Sequence, residues 1–189
     1  MKNLVLVDFD KTLYKKDSLL EFTKFYKGTF HFYIGLFYFL PYLFQWKLGI
    51  ITNEHAKKKF ISYFFKNENY NDFLAKGNQF ADHYIQKNIN TKIWNFLLQH
   101  KKNNDDIYIV TASFSEWIIA WSSKNNIQII ATIPEQKNNT LTGDFVTKNC
   151  YGAEKVTRIK LEIQLESYEK IYVYGAGKGD REMLQLKKH

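Results

Sequence analysis

Two acids stand at the head of this chain where chemistry is expected. Asp8 and Asp10, separated by Phe9, follow directly on Leu4-Val5-Leu6-Val7. That short apolar, β-branched run has the pattern of a buried strand. Ligands of open α/β sheets bind beyond the carboxyl ends of the strands, at a switch point. Two carboxylates this close repel each other unless a cation or a shared proton compensates. An acid pair is also found in plain solvated turns. Here the strand before the pair and the small hydroxyl of Thr12 after it favour the chemical reading.

Three more segments pair a strand or helix start with a chemically competent residue. Ile107-Tyr108-Ile109-Val110 is a second apolar run, followed by Thr111-Ala112-Ser113-Phe114. Lys155 follows a Gly152 turn and opens an amphipathic pattern through Val156, Ile159 and Ile163. Lys170 to Tyr174 reads as another strand and runs into Gly175-Ala176-Gly177-Lys178-Gly179-Asp180. Together, Asp8-Phe9-Asp10-Lys11-Thr12, the strand ending in Thr111, Lys155 and the Gly-rich loop with Asp180 resemble, in order, the four motifs of the haloacid dehalogenase superfamily. The aromatic helical insert and Asn149 to Lys155 look most like lipid-linked members of its phosphoserine-phosphatase-like branch, including the C-type phosphatidylglycerophosphatase.

The resemblance implies roles. Asp8 is the nucleophile and Asp10 the general acid and base. Mg²⁺ is held by the Asp8 carboxylate, the backbone carbonyl of Asp10 and Asp180. Thr111 and the backbone at Ala112 receive the phosphoryl group. Lys155 offsets the like charges of nucleophile and phosphate. The sequence departs from the family at Ala176, where Asp or Asn usually supplies an oxygen to the metal. Water can fill such a gap, because Mg²⁺ keeps several waters. Glu182 and Arg158 read as solvated helix residues. His31, His55, His83 and His100 have no ligand spacing and His189 is terminal, so none is assigned to metal.

Composition bounds the partners. The chain has 189 residues, 45% of them hydrophobic, which is enough for one sizeable domain or a core with an insert. A net charge of +8 suits an anionic partner. The lysines are scattered and no nucleic-acid motif is present, so a phosphorylated substrate or an acidic membrane surface is expected rather than nucleic acid. Cys150 is the single cysteine, has no base beside it in sequence and is read as structural. The opening apolar run is too short for a signal peptide. A cytoplasmic setting, with or without membrane association, is expected.

The elements that must position these residues can be read coarsely. Asp17 or Ser18 is set to cap a helix from Leu19. Gly28 to Trp46 carries no formal charge and holds a recurrent series of aromatic rings, with Pro41 inside. Three readings stay open for it: two buried helices broken near Pro41, a helix lying on a membrane surface, and a membrane span. Thr52 or Asn53 caps a helix to Phe65, in which Lys57-Lys58-Lys59 reads as a solvated run or a contact for anionic head groups. Tyr70 to Lys87 reads as one helix. Asn90 or Thr91 caps the next, and Lys101 to Asp106 is a polar loop. Ser115 and Glu116 are set to cap a helix from Trp117 to Asn125. Ile127 to Ile133 is a strand, and Asn138-Asn139 turns a hairpin.

The expected fold is α/β: a Rossmann-like three-layer α/β/α core, residues 1–13 and 91–189, with a helical cap insert at 14–90 after the first strand. The expected activity is Mg²⁺-dependent phosphomonoester hydrolysis through an aspartyl-phosphate, on a lipid-linked phosphate. The alternatives are a small-metabolite phosphatase and a catalytically impaired binding protein on the same scaffold.

Overall fold

A computed structural model of the chain describes residues 2–188. Met1 and His189 lie outside the described residues. β1 (Leu4–Val7) is buried along its whole length. It leads into a helical block of α1 (Ser18–Lys27), α2 (Thr29–Lys47), α3 (Asn53–Phe65) and α4 (Tyr70–Phe80). α5 (Thr91–Lys102), β2 (Asp106–Phe114), α6 (Ile119–Lys124) and β3 (Gln128–Thr132) follow. Next come the hairpin of β4 (Pro134–Lys137) and β5 (Thr140–Phe145), then α7 (Ala153–Glu162), β6 (Ile171–Tyr174) and α8 (Arg181–Leu184).

Four strands form a parallel sheet in the order β3-β2-β1-β6. β1 lies between β2 and β6, with Val7 level with Ile109 and Tyr174. The carboxyl ends of three strands therefore meet at one edge, the place where such sheets hold ligands. Apolar residues cover both faces. Leu4, Leu6, Val110 and Ile130 pack with Ile159 of α7 and Met183 of α8. Val5, Val7 and Ile109 pack on the other side with Leu97 of α5. This is a three-layer α/β/α arrangement, as expected from the alternation of strand and helix patterns.

The same cluster that holds Val5 and Val7 continues through Phe9, Phe22, Phe73, Phe80 and Trp117 into the helical block. Block and sheet share one apolar interior on this side. The hairpin closes the arrangement from below: Asn67 donates to the Leu141 carbonyl, and Leu141 donates to that of Glu68.

Side-chain caps set most helix starts in the block. Asp17 accepts from the Leu20 amide, Thr52 from that of His55, Asn69 from Asp72 and Asn90 from Lys92. Asn138 and Asn139 both take positive φ, 49° and 59°, the conformation a two-residue hairpin turn requires.

Several expectations are corrected. Gly28 to Trp46 is neither two helices nor a buried pair. α2 runs unbroken through Pro41, because Pro41 and Phe37, whose carbonyl loses its usual partner, both lie on the exposed face. Among the described residues no helix is long and apolar enough to cross a membrane. The Tyr70 to Lys87 helix is α only to Phe80 and continues as a π turn and a 3₁₀ turn. The Lys101 to Asp106 loop is shorter, since α5 includes Lys102. Ser115 and Glu116 cap no helix. They form a 3₁₀ turn with Trp117, and the buried Glu116 accepts from the Tyr70 hydroxyl at 3.0 Å. Arg158 is not solvated: it is buried and donates to the Ala131 and Lys148 carbonyls and the Thr147 hydroxyl.

Candidate functional site

At the carboxyl edge of the sheet, β1 delivers Asp8 to the floor of a cavity of about 460 Å³. Lys155, in the first turn of α7, reaches under it. Its ammonium donates to Asp8 Oδ1 at 2.6 Å, to Asp180 Oδ1 at 2.7 Å and to the Val110 carbonyl at 2.7 Å. All three of its protons are used. The other Asp8 oxygen accepts from the Thr12 hydroxyl at 3.0 Å. Burial raises the Asp8 pKa, Lys155 opposes that, and Asp180 adds to it. Burial alone would lower the Lys155 pKa, but Asp8 and Asp180 outweigh it and raise it.

The Gly-rich loop after β6 is wound around Asp180. The amides of Ala176 and Gly177 donate to Asp180 Oδ2 at 3.1 and 2.8 Å. Gly175 is needed here, since a Cβ on it would stand 2.7 Å from the Asp180 Cβ. Thr111 is fully buried at the bulge of β2, where its hydroxyl oxygen accepts from the Ser113 amide at 3.0 Å. That leaves its proton free to donate, and Thr111 and Ala112 both line the cavity.

Asp10 also lines the cavity, but its carboxyl turns to the block. Ser113 Oγ donates to Asp10 Oδ2 at 2.6 Å and the Ser18 amide donates to Oδ1. Behind them Ser18 donates to Ser113 at 3.0 Å and Trp117 Nε1 donates to Ser18 at 3.0 Å. Burial, and the nearby Asp17 after it, push the Asp10 carboxyl up to about 6. A carboxyl poised near neutrality can serve as both acid and base.

The residues fit a hard divalent cation on their chemistry. Asp8 and Asp180 share one ammonium, which leaves negative charge uncompensated in a buried place. Each Asp8 oxygen accepts one hydrogen bond, so each keeps a lone pair for a metal. Asp180 has less to give, because Oδ2 already accepts two amides. Ala176 is exposed and supplies no oxygen from its side chain. Among the described residues no three His, Cys, Asp or Glu side chains converge as a metal cluster.

So Asp8, Lys155 and Asp180 are in direct contact, and Thr111 and Ala112 stand over the same cavity. Lys57 was missed. Read from sequence as part of a solvated lysine run, it points into this cavity and donates to the Ala112 carbonyl and to Asn149 Oδ1 at 3.1 Å. The available signal was its place on α3: it follows the buried Ala56 and precedes Phe60 by three residues, at the edge of the apolar face. Ser18, Ser113 and Trp117 around Asp10 were missed as well; nothing in their spacing marks them.

The inner side of α2 closes the cavity with Leu36, Phe39, Leu43 and Trp46. Its outer side exposes Phe30 at 73%, Phe37 at 71% and Phe44 at 64%, together with Tyr33 and Tyr38.

Solved structures share this fold. A protein of unknown function from Bordetella pertussis Tohama I superposes with a TM-score of 0.81 at 19% identity, over 99% of this chain and 87% of that one. A phosphoserine phosphohydrolase-like protein from Francisella tularensis gives 0.65 at 20% identity, over 98% and 82%. A phospho-aspartyl intermediate analogue of phosphoserine phosphatase gives 0.60 at 18% identity, over 98% and 83%. No curated protein matches the chain. The family model of haloacid dehalogenase-like hydrolases matches residues 5–185. With the match running nearly end to end, and with Asp8 after β1 and Asp180 in the loop after β6 both meeting Lys155 at one sheet edge, the chain belongs to the haloacid dehalogenase-like hydrolases.

Proposed function

We propose that the protein is a Mg²⁺-dependent phosphomonoester hydrolase acting through an aspartyl-phosphate. The observation that carries this reading is the single ammonium of Lys155 bridging Asp8 and Asp180 beneath a cavity. Asp8 attacks phosphorus and the bond from phosphorus to the ester oxygen breaks, leaving the phosphoryl group on the Asp8 carboxylate. Asp10 gives its proton to the departing oxygen, then takes one from the water that attacks phosphorus and frees Asp8 and inorganic phosphate. Lys155 holds Asp8 in place, and Thr111 donates to a phosphoryl oxygen as charge spreads over it. Mg²⁺, carried by Asp8, the Asp10 carbonyl and Asp180, supplies neutralisation of the phosphoryl oxygens when bound. Residues 14–90 act as a cap that keeps bulk water from the cavity.

The substrate we favour is a lipid-linked phosphate, with α2 lying on an anionic membrane surface. The helix is two-sided: apolar residues inside face the reacting carboxylate, and rings outside face solvent. A shallow apolar groove lined by Phe30, Tyr33, Ile34, Phe37 and Tyr38 runs along the outside. The exposed Lys47 and the net charge of +8 suit anionic head groups. The second reading, a small soluble phosphate ester, draws on the phosphoserine phosphatase among the similar structures.

Two experiments test these statements. Asp8→Asn is expected to abolish Mg²⁺-dependent turnover of p-nitrophenyl phosphate, and retained turnover rejects Asp8 as nucleophile. The protein is expected to sediment with vesicles containing phosphatidylglycerol. Phe37→Asp is expected to weaken that binding while sparing p-nitrophenyl phosphate turnover, since Phe37 faces away from the cavity. Failure of the wild-type protein to sediment favours the soluble substrate, and equal sedimentation of the two proteins rejects the outer face of α2 as the contact.

A further inference from the structure

Lys57 is a cation in the cavity without an anion. Its neighbour Lys58 pairs with Asp144 at 2.7 Å and Glu54 at 3.5 Å, and Lys155 has two carboxylates. Among the described residues no carboxylate lies within ion-pair distance of Lys57; its hydrogen-bond partners are the neutral oxygens of Ala112 and Asn149. The two acids nearest in charge are already engaged. Asp10 accepts from Ser18 and Ser113, and Asp17 caps α1. The rings of Phe114 and Phe145 lie 5.3 and 5.5 Å from the ammonium, so water is displaced around it. Burial accordingly lowers its pKa to about 8.

An ammonium has three protons, and two are spent. The carbonyl it holds, that of Ala112, belongs to the residue next to Thr111, and the cavity wall beyond is the apolar side of α2. Lys57 thus lines the same cavity as Asp8 and that wall, and its remaining proton is not taken by either acceptor. A half-buried cation with no ion-pair partner is costly, and a ligand anion would offset the cost.

We propose that Lys57 is a specificity-determining residue that binds a second anionic group of the substrate, set between the transferred phosphate and an apolar remainder. This deepens the phosphatase reading and rests on it. The anion is a carboxylate or a phosphodiester, both being oxyanions that accept a charge-assisted hydrogen bond.

Matched esters test it. Glycerol 3-phosphate and 3-phosphoglycerate differ by one carboxylate. Phosphatidic acid and phosphatidylglycerol phosphate, in mixed micelles, differ by a phosphodiester. The wild-type protein is expected to prefer the doubly anionic member of one pair in kcat/KM by about tenfold or more, the scale of a hydrogen bond to a charged group. The pair that shows the preference identifies the anion. Lys57→Met is expected to erase the preference chiefly through KM, and Lys57→Arg to keep most of it. No preference in either pair overturns the proposal. So does an equal loss for both members of a pair in Lys57→Met, which would mean that Lys57 positions the loop or touches the transferred phosphate. Calorimetric binding of the same esters to Asp8→Asn, with and without Lys57→Met, reads the role without turnover. It separates failure of this proposal from failure of the phosphatase reading.

Discussion

Lys155 is 2% exposed and uses its three protons on two carboxylates and a carbonyl. Its removal strands Asp8 and Asp180 together in a buried place. Lys155→Met is therefore expected to lower stability by about 3–5 kcal/mol, the usual cost of breaking a buried pair, as well as to end turnover. Denaturant unfolding measures the first effect independently of the second. Lys57 gives a pH dependence of definite sign. Its pKa is about 8 folded and 10.5 unfolded. Below pH 8 both states are protonated, and the folded state bears the full penalty of the partly desolvated charge. Between the two values the unfolded chain binds more protons, so this group makes stability rise with pH. Lys57→Met lacks that rise. Its unfolding midpoint relative to wild type should therefore fall between pH 7.5 and pH 9.5, and a constant difference would reject the assignment.

At the scale of elements, close approach between helices and turns sets the cavity walls. Gly77 of α4 lies against the turn after β2: a Cβ there would stand 2.1 Å from the Glu116 carbonyl oxygen. Backbone cannot give way as a side-chain tip can, so Gly77→Ala is expected to destabilise by about 1–3 kcal/mol through overpacking. A lowered midpoint in thermal unfolding checks this. α2 shows why patterning failed on this segment. A helix apolar all round offers no stripe to orient it. Its inner face was chosen by Gly35, where a Cβ would lie 2.3 Å from the Phe64 ring, so only this face can approach α3 as closely as it does.

At the scale of the whole molecule, one apolar cluster runs from Val5 and Val7 through Trp117 to Phe22, Phe65 and Phe73. Phe22 stacks on Trp117 at 4.8 Å, which ties the helical block to the turn that follows β2. A block joined to the sheet in this way is expected to unfold with it. Thermal unfolding followed by far-ultraviolet circular dichroism and by tryptophan fluorescence should give one coincident transition. Separated transitions would show that residues 14–90 hold a core of their own.

The strands that carry Asp8, Thr111 and Asp180 were legible because the information is local. Each holds a short apolar run that leads to the polar residue, at once for Asp8, within the strand for Thr111 and through a Gly-rich loop for Asp180, and the caps at Asp17, Thr52 and Asn90 likewise depend on residues two or three positions away. The family resemblance rested on those same segments. What the fold alone decided is the fate of long charged side chains. Lys57 meets Asn149, 92 positions away, and Arg158 reaches back to Ala131. A lysine or arginine belongs to solvent until distant carbonyls and amides surround it, and no window of sequence contains them. Asp180 divides between the two: its Oδ2 is held by amides of its own loop three and four residues back, but that its Oδ1 meets Lys155 follows only from the packing of α7 against the sheet edge.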